Sequence, residues 1–583
     1  MNKAQHCGAL LVGVMTILVI ISWHGLSGPL VFDDLPNLAP LANDAEEPDY
    51  RDFIFGNHAG VLGRSVSMAT FAVNHWLRGD LISFDLKITN LAIHIANGAL
   101  LYFILLNLLQ PTFAPNQYRP IALVVSACWL LSPMNSGVVF YAIQRMALLA
   151  CFFVFAGILC YTLWRRGQSA PPSVKTATLI LCISCWPLAF LAKENGILLP
   201  LYLLLIEFYF FASGRSLVAL RIIFLSLFVC GCVAVYVLHT HGYLDYSNRN
   251  FTLMERLSTQ PLVLAHYVGD LLFPAVVDIG LFNDDFPIKK SPWNIATLGY
   301  GAVIVFLLAA CLSCAANSRL RPIWAGVLFF LVAHVAESTA IPLEIYFEHR
   351  NYLPSAGLFL AVVLAVNILV MKAQRWRALP IVLPIIVLAW FSFMSYHKAT
   401  IWKSWPAVVA NLYQQHPASV RAGLELAALL VQSDQGAAAL RINDLNASYN
   451  PERSLNIKLQ RFYIYCWTGA PIDDAEYEAI SGRVLPAGLR ETATAFEALL
   501  DIREQRACTN IDFVRVMQRV AKMVDDSLDS GLITTTQAWS VDYFVIEYAR
   551  LNAQHDLVAR RLRRSIEGGN AKARYYSDDV LNN

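Results

Sequence analysis

Residues 144–166, QRMALLACFFVFAGILCYTLWRR, decide the fold class of this chain. No residue between Arg145 and Arg165 carries a charge. The interval is long enough for a membrane helix, which needs about 20 apolar residues. The run opens on the polar pair Gln144-Arg145 and closes on the basic pair Arg165-Arg166. It therefore has a direction as well as a length, because short cytoplasmic loops collect Lys and Arg.

The same pattern recurs on both sides of this run. The chain has 583 residues, 57% hydrophobic and 15% charged, with a mean hydropathy of +0.49. An ordinary soluble domain carries about 25% charged residues. A net charge of +2 gives no pull toward polyanions, and nothing in it supports nucleic-acid binding. Hydropathy places about eleven spans, near 8–24, 86–109, 119–135, 144–164, 176–192, 196–213, 218–238, 295–315, 322–342, 352–371 and 380–397. The first is read as an uncleaved helix, since no small-x-small cleavage site follows it and a further span does.

With a cytoplasmic N-terminus, one set of loops holds Arg119; Arg165, Arg166 and Lys175; Arg215 and Arg221; Arg319 and Arg321; and Lys372, Arg375 and Arg377. That is the basic side. The opposite side then collects Asp33-Asp34, Gln144-Arg145, Lys193-Glu194 and Glu348-His349-Arg350. It also takes the long loops 24–85 and 239–294 and everything after Lys398. The expected fold is all-α: a polytopic membrane bundle over 1–405, then a helical extramembrane domain over 406–583. Both long loops contain stretches that read as amphipathic interfacial helices, 49–79 with His58, Arg64 and Trp76, and 252–272 with Arg256, Gln260, His266 and Tyr267. The tail has helical patterns at 422–431, 495–506, 514–528 and 549–565, best read as repeat-type helix pairs, although no clean 34-residue period is visible.

Ten of the twelve cysteines lie in or beside spans and act as small apolar residues, Cys182 and Cys185 included. Cys466 and Cys508 fall in the external domain, where an oxidising compartment permits a disulfide that spacing alone does not establish. His239 and His241 read as solvated rather than as metal ligands. The sequons at Asn250 and Asn446 matter only in a eukaryotic lumen, and a bacterial inner membrane is the expected location.

Ionisable groups at membrane level are costly, so four motifs at one face are a functional signal. A carboxylate there can take a proton from an acceptor hydroxyl, with Asp33 or Asp34 as the base. Arg145, Lys193 and Arg350, with His349, can stabilise a phosphate leaving group. Glu194 and Glu348 are expected to orient neighbouring cations, with Gln144, Arg64 and Tyr352 in support. Together these groups suit transfer from a lipid phosphate.

Read in order, Val31-Phe-Asp-Asp34, Gly63-Arg-Ser-Val-Ser-Met68, Lys87-Ile-Thr-Asn90 with His94, Tyr141-Ala-Ile-Gln-Arg145, Ala192-Lys-Glu-Asn-Gly196, Glu255-Arg-Leu-Ser-Thr-Gln260, Glu337-Ser-Thr339 and Glu348-His-Arg-Asn-Tyr-Leu-Pro-Ser355 form a set. The chain resembles GT-C fold membrane glycosyltransferases, and among them bacterial relatives of the transmembrane-and-tetratricopeptide O-mannosyltransferases. The resemblance covers about residues 30–420. It implies a metal-independent, inverting transfer from a polyprenyl-phosphate sugar, without a cofactor, at the periplasmic face. It also implies a tetratricopeptide-like tail and an acceptor such as a protein. Members of this size include enzymes that glycosylate type IV pilins, an arabinofuranose-transferring type among them. The chain departs from relatives at Ser132-Pro-Met-Asn-Ser-Gly137, where they often carry a His-Pro opening and a glutamate, which puts in doubt the carry-over of the mannosyltransferases' own sugar and acceptor. Two alternatives stay open: a transferase acting on lipid A, O-antigen or another envelope glycan, and a transporter of lipid-linked sugars. A transporter would favour polar sites near the midplane and internal symmetry.

Overall fold

The computed structural model describes residues 3–573 apart from 43–47, 58–59, 61–62, 168, 242, 247–248, 275–277, 314–319, 373–377, 452–453, 483–488, 506–507, 552–553, 569 and 571–572. His58, Cys314, Arg319, Arg375 and Arg377 therefore lie outside the described residues. All regular elements among those described are helical. The chain divides into two units: 1–240 with 256–281 and 289–411, and 412–583 with 241–255 and 282–288.

In the first unit, nine helices among the described residues are long and apolar enough to cross a membrane: Gln5–Leu26, Ser83–Leu109, Ala142–Arg166, Pro172–Ala192, Glu194–Phe211, Arg215–Thr240, Ile295–Ser313, Pro354–Met371 and Leu379–Ile401. Large apolar side chains such as Ile20, Ile180, Phe228, Phe306 and Ile385 stand exposed on them. This is the surface a bilayer would cover, and the chain is a membrane protein. The count of eleven spans needs correction at two places, and each has a local cause.

The span expected at 119–135 is Pro115–Leu131, bent by 49° into Pro133–Phe140. Pro133 has no N–H and cannot continue the helical ladder. Three nearby carbonyls find side-chain donors instead. Trp129 O accepts from Asn135 Nδ2 at 2.9 Å, Leu130 O from His94 Nε2 at 3.1 Å, and Leu131 O from Ser395 Oγ at 2.8 Å. Broken helices survive in apolar surroundings when such groups re-satisfy the backbone.

The span expected at 322–342 is the short helix Arg321–Ala333. Beyond it the backbone is irregular, and Arg256 fills the part of the missing ladder. Its guanidinium donates to the carbonyls of Glu337 at 2.7 Å, Thr339 at 2.6 Å, Glu344 at 3.3 Å and Leu343. Within 49–79, the helix Ser65–Arg78 buries Met68, Phe71, Ala72 and His75 and exposes Val73, Trp76 and Leu77. The stretch expected at 252–272 is the helix Leu253–Leu272, which buries Arg256, Val263, Tyr267 and Leu271.

The second unit is a run of helices of up to 17 residues: Val420–Gln432, Gly436–Tyr449, Ser454–Thr468, Asp474–Ala479, Leu489–Gln505, Phe513–Asp529, Thr535–Leu551 and His555–Glu567. Most successive helices pack on one another, and Ser454–Thr468 packs on Leu489–Gln505. Leu459, Phe462, Phe496, Leu499, Val516, Val520, Val541 and Val545 fill the core. A disulfide joins Cys466 to Cys508 within it. Asn446, the sequon asparagine, is fully buried and donates to Val420 O at 3.1 Å, whereas Asn250 is exposed. The segment 282–288 caps the first of these helices. The Asp284 carboxylate accepts from Ser419 Oγ and, at 3.1 Å, from Val420 N, and Asp285 meets His416 Nδ1 at 2.9 Å. An acid at a helix N-terminus is satisfied by the orphan N–H groups and favoured by the dipole.

Candidate functional site

The acidic pair leaves the helix Lys3–Leu26 on a tight loop. Gly28 starts it, and no larger residue fits, because a Cβ there would stand 1.8 Å from Trp402 O. Phe32 takes the left-handed conformation at φ +50°. For an aromatic residue this is strain of about 1–3 kcal/mol, held only where surroundings over-determine it. The surroundings do so through Asp34. Its side chain is fully buried, Oδ2 accepts from Val31 N at 3.0 Å, and Oδ1 accepts from Ile143 N at 2.7 Å. Burial raises the Asp34 pKa above the usual carboxylate range, against the pull of those amides and of Lys87.

The same geometry turns Asp33 outward. Asp33 is exposed, its N–H donates to the Tyr141 hydroxyl at 3.2 Å, and that hydroxyl also meets the Asp33 carboxylate. Tyr141 stacks on the buried Trp402 with ring centres 6.3 Å apart. The two acids thus have different environments: Asp34 grips backbone, and Asp33 is solvent-facing beside a phenol.

Gln144 is buried in the turn Ala142–Gln144. Arg145 follows it and is fully buried. Its Nε donates to Asn90 Oδ1 at 2.8 Å, Nη1 to Asn74 Oδ1 at 2.6 Å and Thr70 O at 3.1 Å, and Nη2 to Leu86 O at 2.8 Å. The guanidinium lies over the Phe71 ring at 4.1 Å. So engaged, Arg145 ties helices together. Sequence reasoning assigns it to a phosphate and does not see this framework, in which Asn74 and Asn90 supply side-chain oxygens.

A second group gathers around His349. Burial, joined by the charges of Lys193, Arg350 and Arg64, holds this ring well below the usual imidazole range, so it is neutral. Lys193 Nζ pairs with Glu337 Oε1 at 2.8 Å. Arg350 is buried and donates from Nη1 to Glu344 O at 2.6 Å and Ile345 O at 3.3 Å. Arg64, itself left-handed at φ +43°, forks onto Glu194 with contacts of 2.9–3.1 Å. Glu194 thus orients Arg64 rather than its neighbour Lys193. Arg64 Nη1 also reaches Met146 Sδ at 2.9 Å, so this group touches the helix turn that carries Arg145.

Glu348 points away from His349 to pair with Lys398, at the end of the last long membrane helix. Burial pushes the Glu348 carboxyl up to about 7, with Asp278 and Asp270 adding to it and Lys398 opposing. Gly137 makes room for this lysine, since a Cβ at 137 would meet Lys398 Cε at 2.9 Å. Tyr352 lies one turn on and is buried among the helices. His94 Nε2 must donate to Leu130 O, so Nδ1 accepts from the Tyr352 hydroxyl at 2.7 Å, and that oxygen accepts from Asn97 Nδ2 at 3.2 Å. The Tyr352 N–H closes the Glu348–Asn351 turn by donating to His349 O at 3.3 Å.

The residues that sequence reasoning left without a role are Lys87, Tyr141, Glu337, Lys398 and Trp402. Lys87 had a readable signal, being the lone Lys, Arg, Asp or Glu inside the span expected at 86–109, and Lys398 stands directly after the one expected at 380–397. Among the described residues, no group of three His, Cys, Asp or Glu side chains could hold a metal ion. Neither known protein families nor curated proteins nor solved structures provide a match to this chain.

Proposed function

We propose that this protein is a membrane glycosyltransferase that moves a sugar from a polyprenyl-phosphate donor to an acceptor hydroxyl by an inverting general-base mechanism. The observation that carries the reading is the division of labour in the acidic pair: Asp34 buried on two backbone amides, Asp33 exposed on a strained loop. A carboxylate held this way outside the end of a membrane helix suits proton abstraction from a hydroxyl. Asp33 takes the proton, the acceptor oxygen attacks the anomeric carbon, and the bond from that carbon to the phosphate oxygen breaks. The polyprenyl phosphate leaves with the electron pair. Around a neutral His349, Lys193 and Arg64 are answered by Glu337 and Glu194, and Arg350, held by neutral carbonyls, leaves a net positive charge for that phosphate.

In this reading the site faces the periplasm of a bacterial inner membrane. The basic loops on the opposite side and the Cys466–Cys508 disulfide support that orientation. The helical tail, tetratricopeptide-like by resemblance, would present a protein acceptor such as a pilin.

The test is to compare glycoproteins and envelope glycans from cells that lack the protein, carry it, or carry Asp33→Asn. A glycan present only with the parent identifies the product. Identical profiles in all three would rule the reading out.

A further inference from the structure

Lys87 lies inside the helix Ser83–Leu109 with no exposed surface. A buried ammonium is costly unless its hydrogen bonds and charge are answered. Here the answers come from one place. Lys87 Nζ donates to Gly28 O at 2.9 Å and to Pro29 O at 2.8 Å, and its charge faces the Asp34 carboxylate. It also sits 5.6 Å from the centre of the Trp402 ring, and Gly28 lies against the backbone carbonyl of the same residue. Ser83, one turn earlier on the same helix, donates to Gly28 O at 2.5 Å.

The loop that presents Asp33 is thus held at both ends. Lys87 and Ser83 fix its start at Gly28 and Pro29, and Asp34 fixes its end through Val31 N and Ile143 N. Between the two anchors Phe32 is left-handed. Released from one anchor, Phe32 would relax to an ordinary conformation, and the peptide carrying Asp33 would rotate with it. A purely space-filling role for Lys87 does not require both carbonyls and the carboxylate to come from this one loop.

We propose that Lys87 is a positioning residue that clamps the Gly28–Asp34 loop in the strained form that presents the Asp33 carboxylate. The proposal rests on the reading of Asp33 as the base. It adds a residue that touches neither donor nor acceptor yet governs turnover.

The test uses the full chain in nanodiscs, with total polyprenyl-phosphate sugars extracted from the host membranes as donor. Lys87→Met is compared with the parent, and Lys87→Met/Asp34→Asn, which leaves no buried charge unpaired, is read against Asp34→Asn alone, because Asp34 is itself the loop's second anchor. A second arm places Asp33→Cys in each background, with the exposed Cys230 and Cys232 changed to Ser, and measures labelling by an impermeant maleimide. Folded Lys87→Met should turn over about a hundredfold more slowly, with donor KM within about twofold of the parent, and the double should be slower than Asp34→Asn. The labelling rate at position 33 should change several-fold. Parental turnover and labelling in folded Lys87→Met, or a double variant indistinguishable from Asp34→Asn in both, would overturn the clamp. If Asp33→Asn itself turns over normally, the base reading fails, while a changed labelling rate still supports the clamp on its own.

Discussion

Lys193 and Glu337 meet at 2.8 Å with side chains only 8% and 9% exposed. Each comes from a different helix break, and each would be an uncompensated buried charge without the other. Breaking such a pair from one side costs about 3–5 kcal/mol, while replacing both partners by neutral groups is often harmless. Lys193→Ala should therefore lower the thermal midpoint in detergent markedly, and Lys193→Met/Glu337→Gln should recover most of it. Donor affinity should stay low in both. An alanine variant as stable as the parent would remove Lys193 from the structural framework and leave it a binding role alone.

Asp33→Asn and Asp34→Asn should fail differently. The first keeps every anchor of the loop, so stability should stay within about 0.5 kcal/mol while transfer falls by a hundredfold or more, roughly the worth of a general base. The second exchanges a carboxylate oxygen for an amide that cannot accept from both Val31 N and Ile143 N, costing about 1–3 kcal/mol as well as activity. Paired melting curves and turnover assays separate the two. Equal destabilisation would contradict the division of roles.

Glu348 should leave a pH signature. Its carboxyl is pushed up to about 7 by burial, from an ordinary value of 4.5. Between those two values the unfolded chain has released this proton and the folded chain retains it. The contribution of Glu348 to stability therefore declines as pH rises through the window and levels off above 7, by at most about 1.4 kcal/mol per pH unit. Glu348→Gln removes the titration. The stability of the parent relative to this variant should fall from pH 5 to pH 7; a constant difference across that range is the adverse result.

The tail and its compartment can be checked together. Cys466→Ser/Cys508→Ser should destabilise the second unit by about 2–4 kcal/mol, since the bridge closes a sequence separation of 42. A reporter fused after Trp405 should be active outside the cytoplasm, and one between Arg165 and Lys175 inside. Expressed in a eukaryotic secretory pathway, Asn250 should take a glycan and Asn446 should not, because Asn446 is folded into the helix core. A cytoplasmic tail would separate it from the proposed site.

Legibility in the sequence follows the range of the interaction. Hydropathy is local, and so the long membrane helices are readable, as is the exposed outer face of Ser65–Arg78. The two span corrections were not, because each depends on a distant side chain: Ser395 and His94 at the Pro133 bend, Arg256 at residues 337–344. In the site, motif order shows that acids and bases gather, but not which member of each pair turns inward. Motif order reads Arg145 as a phosphate ligand but does not show that Asn74 and Asn90 hold it between helices. Likewise, Glu194 reads as the partner of its neighbour Lys193, and only the fold shows it holding Arg64.

The bend at Pro133 also sets an order of assembly. The Leu131 carbonyl waits for a hydroxyl that lies 264 residues further along the chain. At about 5–20 residues per second, that partner is synthesised some tens of seconds after the bend itself. During this interval the broken helix cannot be a finished span. It must borrow water, lipid headgroups or an insertion factor, and it locks only when the final membrane helix arrives. Nascent chains halted before residue 379 should accordingly be cut near Ser132 by an added protease, and chains extended past residue 401 should resist it.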